Sequence, residues 1–324
     1  MEDLRIATAQ FEARDGDKPY NLAAIDRLAA EAAGSGARLV CFHECCISGY
    51  SYLGGLTRAE VEAVAEPVPD GPSVSALMGF ARDRGVLIGA GLVERDGESL
   101  FNTFVVVDGE RMLARHRKLH AFVSPHLTCG GSYTVFNALG WKWGILICYD
   151  NNLPENGRMT AMAGADVILA PHVTGCLPSP APGRGIVDPG VWRNRHRDPV
   201  RCRMEFDGPK GRGWIMKWLP ARAWENGVYV VYANVLGVDG GTIKPGGSMV
   251  IDPFGEVVAE CRSLEDEVVV ATLVPENRRM ASGESYLRAR RPELYGSMVE
   301  PNPHLGPDRR PEVWWQKHAK ETSK

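Results

Sequence analysis

Long apolar runs are absent from the 324 residues: none approaches the ~18 that a membrane-spanning helix requires, so no membrane association is expected. Charge of one sign is also scarce. Thirty-seven basic side chains stand against 40 acidic ones, a formal charge of −3, which gives no global field to hold a polyanion. Nucleic acid is therefore not an expected partner. The opening residues Met1-Glu2-Asp3-Leu4-Arg5 lack the basic start and apolar stretch of a secretory signal. Eight cysteines are few for this length and form no matched CxxC pairs, which argues against a disulfide scaffold and a structural zinc site. A reducing, cytoplasmic location follows, in which each cysteine is either buried filler or a reactive thiol. No GxxxxGK[ST] phosphate loop occurs, and neither Gly183-Arg184-Gly185 nor Gly211-Arg212-Gly213 resembles one.

What is present is an alternation of strand and helix patterns. At 44% hydrophobic residues the chain has ample material for a core, in one large domain or two small ones. Strands are expected at 4–9, 37–42, 86–93, 100–107 and 111–117, the last two joined by the hairpin signal Asp108-Gly109. Further strands fit 143–147, 166–170, 228–233, 248–251, 256–260 and 268–273. Helices fit 19–33, 72–84, a segment from about Pro154, and 214–226. Strands interspersed with helices imply a layered α/β protein. The segment Thr174–Gly213 breaks the pattern: it is rich in Gly, Pro and Arg, with eight basic residues against four acidic ones. It reads as a lid, a binding loop or an interface, with its charges either self-paired or forming an anion site. The four tryptophans 192, 214, 218 and 224 fit a pocket lining or core anchors.

Three strand-like segments end in chemically useful residues. They are Leu39-Val40-Cys41-Phe42-His43-Glu44, Arg115-His116-Arg117-Lys118, and Gly144-Ile145-Leu146-Ile147-Cys148-Tyr149-Asp150. Strand ends in α/β proteins carry reactive groups because rigid backbone holds the side chain beside an open mouth. Taken singly, each has an ordinary reading: a solvated carboxylate, a surface lysine, a buried small thiol. Together they make sense as one site. A nearby ammonium and a following helix N-terminus favour a thiolate, a carboxylate carries the proton, and the ammonium supports an oxyanion.

In this order and spacing, the three segments resemble the nitrilase, or carbon–nitrogen hydrolase, superfamily. Two more stretches support the resemblance, Ala223-Trp224-Glu225-Asn226-Gly227-Val228-Tyr229-Val230-Val231-Tyr232-Ala233-Asn234 and Gly247-Ser248-Met249-Val250-Ile251-Asp252-Pro253-Phe254-Gly255, as does Leu153-Pro154-Glu155-Asn156-Gly157-Arg158 after the cysteine. The resemblance implies a four-layer αββα sandwich of two mixed sheets with helices outside, spanning residues 1–275. It leaves 276–324 as an extension that wraps a surface or a partner subunit. It further implies a homodimer or larger even homo-oligomer, and neither cofactor nor metal. Glu44 would be the general base, Lys118 the cation and Cys148 the nucleophile, with the Tyr149 backbone N–H as second oxyanion donor.

One departure stands out. Many superfamily members carry a second glutamate shortly after the lysine, yet Leu119–Gly131 contains no acidic residue. Ser124 or His126 remains for a positioning role. Tyr149 after the cysteine matches amidase- and carbamoylase-like branches rather than nitrilases. Asn151 and Asn152 stand where carbamoylase-like branches place an arginine, which points to a neutral or amine-bearing amide. His172, after the strand at 166–170, lies where substrate would enter. The expected activity is hydrolysis of a non-peptide C–N bond in a small amide through a cysteine thioester. An N-carbamoyl amine or amino acid is the alternative substrate, then a nitrile. A thioester-based N-acyltransferase and a non-catalytic scaffold are the rivals from other classes.

Overall fold

The computed structural model describes residues 1–306 and 308–311. Its strands are β1 (Leu4–Gln10), β2 (Leu39–Cys41), β3 (Leu87–Asp96), β4 (Ser99–Val107), β5 (Met112–Arg117), β6 (Leu127–Thr128), β7 (Thr134–Ala138) and β8 (Trp141–Ile145). There follow β9 (Val167–His172), β10 (Tyr229–Asn234), β11 (Leu236–Asp239), β12 (Thr242–Pro245), β13 (Met249–Ile251), β14 (Val257–Glu260) and β15 (Glu267–Leu273). One seven-stranded sheet has the order β15-β1-β2-β3-β4-β5, with β6 on β4; a six-stranded sheet has the order β14-β13-β10-β9-β8-β7. Both mix parallel and antiparallel pairs.

The strand sequences explain the layering. They are apolar on both faces, so each sheet must be covered twice. Leu4 and Ile6 of β1, Leu39 and Cys41 of β2, and Phe104 and Val106 of β4 pack in one cluster with Val167 and Leu169 of β9 and Tyr229 and Val231 of β10. That cluster is the interface between the sheets. The alternate residues Ala7, Val40 and Val105 face Ile25, Leu28, Val74 and Leu77, from helices Lys18–Gly34 and Pro72–Arg84. On the far side, Ile168, Ala170 and Val230 face Ala161, Ile215, Leu219 and Ala223, from helices Pro154–Met162, Arg212–Ile215 and Leu219–Trp224. The result is an αββα sandwich, as expected. Ile25 and Leu28 are fully buried, each worth roughly 1.5–3 kcal/mol by removal from water.

Local signals set the helix ends. Asp17 caps Lys18–Gly34 by accepting the Tyr20 N–H at 3.1 Å, and Gly85, at φ 66°, closes Pro72–Arg84 in the left-handed conformation. Three differences from expectation also have local causes. The helix expected at 214–226 is two short helices, because Pro220 in the first turn of the second cannot continue the first. The 174–213 segment holds two helices, Pro189–Arg193 and Pro199–Asp207, each capped by the aspartate preceding its proline. Two hairpins turn at Leu139-Gly140 and Gly240-Gly241, all four residues at positive φ.

Beyond Pro275, helices Pro275–Met280 and Ser282–Arg288 lie on the second sheet's helical side, where Tyr286 meets Trp224 at a centroid distance of 5.3 Å. Further on, the Arg310 guanidinium donates to the Ser124 and Leu127 carbonyls at 3.1 and 2.7 Å. Residues 307 and 312–324 of the expected extension lie outside the described residues. No helix among the described residues is long and apolar enough to cross a membrane, and none of their His, Cys, Asp and Glu side chains form a group suited to a metal ion.

Candidate active site

Three segments meet just beyond the C-terminal ends of β2, β5 and β8. The first is the turn carrying Glu44. It is pinned to β3 by the Phe42 N–H to Gly89 O bond at 2.9 Å and the Ile47 N–H to Gly91 O bond at 3.1 Å. A Cβ on Gly91 would lie 2.3 Å from the Cys45 nitrogen, so only glycine lets the turn lie this close. The second carries Lys118, whose N–H donates to Asn102 O at 2.8 Å and whose carbonyl accepts the Gly130 N–H at 2.7 Å. The third is the single-turn 3-10 helix Cys148–Asn152, which Cys148 enters at φ 51°.

Glu44 and Lys118 are fully buried and paired at 2.6 Å. The same carboxylate oxygen accepts from Asn102 Nδ2 at 2.6 Å, and its other oxygen accepts from the Val173 N–H at 3.1 Å. The Lys118 ammonium also donates to the Tyr50 hydroxyl at 3.0 Å and lies 4.9 Å from the Phe122 ring centroid. The Cys148 thiol donates to the Val173 carbonyl at 3.8 Å, and the Glu44 carboxylate stands near enough to act on its charge. Burial pushes the Glu44 carboxyl above its ordinary value, opposed by Lys118 and Asn102. Burial would lower the lysine, but Glu44, Tyr50 and Cys148 outweigh it and hold Lys118 cationic. Burial and then Glu44 push the Cys148 thiol up strongly, and Lys118 only partly offsets them. The resting group is a thiol. Lys118 favours the thiolate, as expected, but burial and the Glu44 charge oppose it more strongly.

Asp150 ties two of the segments together. Its Oδ2 accepts the Leu119 and Ile147 N–H groups at 3.1 and 3.2 Å; its Oδ1 accepts His120 N–H at 3.0 Å and faces His120 Nδ1 at 2.8 Å. Burial alone would raise this carboxyl, but the His116 imidazole 3.9 Å away and the hydrogen bonds from His120 hold it below the ordinary carboxylate range.

Cys148 borders a cavity of about 380 Å³, whose walls include Tyr50, Phe122, Tyr149, Leu177, Arg184 and Trp214. No aspartate or glutamate lines it among the described residues.

The arrangement can be set beside known proteins. The carbon-nitrogen hydrolase family profile matches residues 5–281. The chain belongs to that family. An (R)-stereoselective amidase from Pseudomonas sp. is 32% identical to this carbon–nitrogen hydrolase over 300 residues, covering 92% of this chain and 95% of the relative. A protein from Pyrococcus abyssi named nitrilase is 30% identical over 298 residues, covering 90% and 99%. Among solved structures, a double mutant of the amidase from Nesterenkonia sp. AN1 in complex with acrylamide matches with a TM-score of 0.68 at 28% identity, over 91% of this chain and 97% of that one. Another structure of that amidase, matching equally well at a TM-score of 0.68, 28% identity and the same coverage of 91% and 97%, shows covalent addition of the acetamide moiety of fluoroacetamide at its active-site cysteine. The nitrilase-superfamily resemblance, in its amidase-like branch, therefore holds.

Within this carbon–nitrogen hydrolase, Glu44, Lys118, Cys148 and Tyr149 come together as expected, and Tyr149 packs on Phe122 at 5.4 Å. Three expected substrate contacts do not line the cavity. Asn151 is turned inward: its Nδ2 donates to Leu146 O at 2.7 Å and meets His172 Nε2 at 3.2 Å, while Asn152 reaches the wall instead. His172 is buried against Tyr232 at 4.8 Å, and burial together with Lys118 lowers it to about 3, so it is neutral. His126 lies outside the lining, its backbone N–H donating to Ser124 Oγ at 3.3 Å. Sequence reasoning missed Asn102, Tyr50, Phe122 and Asp150. Of these, Asp150 had a signal: a carboxylate two residues after the cysteine, at the start of a turn with free N–H groups.

Proposed function

We propose that this hydrolase cleaves small primary amides through a thioester on Cys148. Glu44 takes the thiol proton as sulfur attacks the amide carbon, and the Lys118 ammonium and the Tyr149 backbone N–H hold the resulting oxyanion. Glu44 returns the proton to nitrogen, the C–N bond breaks, and ammonia leaves. Water then loses a proton to Glu44 and attacks the thioester; the acid departs and the thiol is restored. The observation that carries this reading is the Cys148 thiol beside a buried carboxylate that is already paired to a buried lysine. A thiol held protonated needs a base within reach, and Glu44 is the group assigned to it. The cavity wall supports an amide with a mainly apolar acyl group. An amine-bearing substrate finds no carboxylate among the residues described there.

The test is ammonia release from acetamide, propionamide and butyramide beside N-carbamoyl amines and nitriles, for the wild type and Cys148→Ala. Release from the amides is expected, falling at least ~10³-fold in the variant. Release confined to carbamoyl compounds or nitriles, or retained by the variant, overturns the proposal.

A further inference from the structure

The loop that follows Lys118 is closed at its neck by the Gly130 N–H to Lys118 O bond at 2.7 Å. Its first limb supplies Phe122 and Val123 to the wall of the Cys148 cavity. The second limb turns back through Ser124-Pro125-His126-Leu127 to β6, which pairs with β4. Ser124 and Leu127 are fully buried, so their carbonyls need donors if the turn is to keep one shape. The loop meets little of that need itself. The Leu127 N–H reaches Ser124 O at 3.3 Å, and Ser124 Oγ takes only the His126 N–H. The stronger donors come from the C-terminal extension. Arg310 donates from Nη1 to Ser124 O at 3.1 Å and from Nη2 to Leu127 O at 2.7 Å, so one planar guanidinium clamps both ends of the turn. Asp308 aims it, accepting the Arg310 N–H at 3.2 Å and lying 3.1 Å from its Nε. Beside this clamp, the Cys129 thiol meets Arg309 O at 3.7 Å, and Leu305 and Arg309 flank a cleft with Leu119, His120 and Gly130. The segment 305–310 thus lies across both limbs of the loop.

From this geometry we infer that Arg310 is a positioning residue for the hydrolysis: it holds, from the far end of the chain, the wall against which the acyl group packs. The inference rests on the amidase reading for its assay. Arg310 acts through Phe122 and Val123 and touches neither the thiol nor its partners. The bonds that fix Glu44 and Asp150 run to Asn102, Val173, Leu119, Ile147 and His120 instead. A wall that is in place only part of the time lowers apparent affinity by that fraction and leaves the bond-breaking groups where they were. The penalty therefore grows with the length of acyl chain laid on the wall. The positioning role expected within the loop, of Ser124 or His126, falls to a residue 186 and 183 positions from the carbonyls it holds.

The experiment takes acetamide, propionamide and butyramide through the wild type, Arg310→Met and Arg310→Lys. In Arg310→Met, KM for butyramide should rise about tenfold, as for a wall in place about a tenth of the time, with kcat changed less than about twofold. For acetamide the rise should stay within about threefold. Arg310→Lys should restore part of the loss, since an ammonium lacks the fork that spans two carbonyls. Hydrogen exchange reads the clamp without turnover. Peptides covering residues 119–131 should exchange about tenfold faster in Arg310→Met, while those from β1 and β10 keep their wild-type rates. Unchanged exchange in 119–131, or faster exchange with KM unmoved for every amide, overturns the inference. So does faster exchange throughout both sheets with kcat and KM worsening alike for all three amides, because that is a contribution to stability alone. If the wild type turns over no amide while 119–131 still loosens in Arg310→Met, the amidase reading fails and the clamp stands.

Discussion

Replacing Asp150 by asparagine removes one charge and changes almost no volume, so its effect isolates the hydrogen bonding around the Cys148 turn. Each carboxylate oxygen takes two donors: Leu119 N–H and Ile147 N–H on one, His120 N–H and His120 Nδ1 on the other. An amide keeps one oxygen and presents an NH₂ at the other, so whichever way it turns, two donors face another donor. Each buried donor left unpaired costs about 1–3 kcal/mol, which makes the expected loss about 2–6 kcal/mol. With an unfolding entropy near 2.1 cal/mol/K per residue, 324 residues give roughly 1.5 °C per kcal/mol. The thermal midpoint should therefore fall by about 3–9 °C. Activity should suffer separately, because these bonds join the Lys118 loop to the Cys148 turn, and a small misplacement there costs tenfold or more in kcat. Calorimetry or circular dichroism at neutral pH, with kcat on the best amide, measures both. A midpoint within 1 °C of wild type together with undiminished kcat would refute the argument that this carboxylate holds the site together.

Two further predictions concern protons. Burial and Glu44 hold the Cys148 thiol well above its ordinary value of 9.0, so the difference in absorbance at 240 nm between wild type and Cys148→Ala should show no thiolate step below pH 9. A step near neutrality would show that Lys118 wins after all. His43 is buried, its ring tilted against Phe11 at a centroid distance of 4.7 Å, and burial lowers it from 6.5 to about 3. The folded state thus binds its proton less readily than the unfolded chain, and the stability carried above pH 6.5 is lost as pH falls towards 3. His43→Leu should flatten that loss, by up to about 1.4 kcal/mol per pH unit, in denaturant titrations at pH 7 and pH 5. An unchanged slope in the variant would contradict the buried-histidine account.

Periodicity and order carried most of the fold. Strands apolar on both faces announced two covered sheets, and Asp108-Gly109 placed the β4–β5 hairpin correctly. The hairpins at Leu139-Gly140 and Gly240-Gly241 went unseen because their strands are short and their turn residues sat among other glycines. The helices at Pro189 and Pro199 were hidden by composition: a stretch rich in Gly, Pro and Arg reads as loop unless each Asp-Pro pair is taken as a cap followed by a first-turn proline. Within the site, Glu44, Lys118 and Cys148 were legible because each follows a strand-like segment, apolar before Glu44 and Cys148. Asn102 was not, since its partner lies 58 residues away and leaves no local pattern; Asp150 had a local signal, but its partners Leu119 and His120 lie about 30 residues away. Asn151 was chosen over Asn152 because spacing alone cannot show which way a single 3-10 turn rotates once Cys148 adopts positive φ.

The Glu44–Lys118 pair repays attention as a question of energy. Two fully desolvated charges gain little net stability from meeting, and an apolar pair of the same volume is often as good or better. Here each charge has further partners: Asn102 and the Val173 N–H on the carboxylate, the Tyr50 hydroxyl on the ammonium. Those contacts offset desolvation without neutralising either group, so the pair stays ionic in a dry setting. An ionic pair held by fixed partners beside the thiol is organised before substrate arrives, and little reorganisation is left for the reaction step. The same carboxylate adds to burial in raising the thiol. With the base beside the nucleophile, a preformed thiolate would place two negative groups side by side. Holding the proton until sulfur attacks keeps only one of them charged at a time.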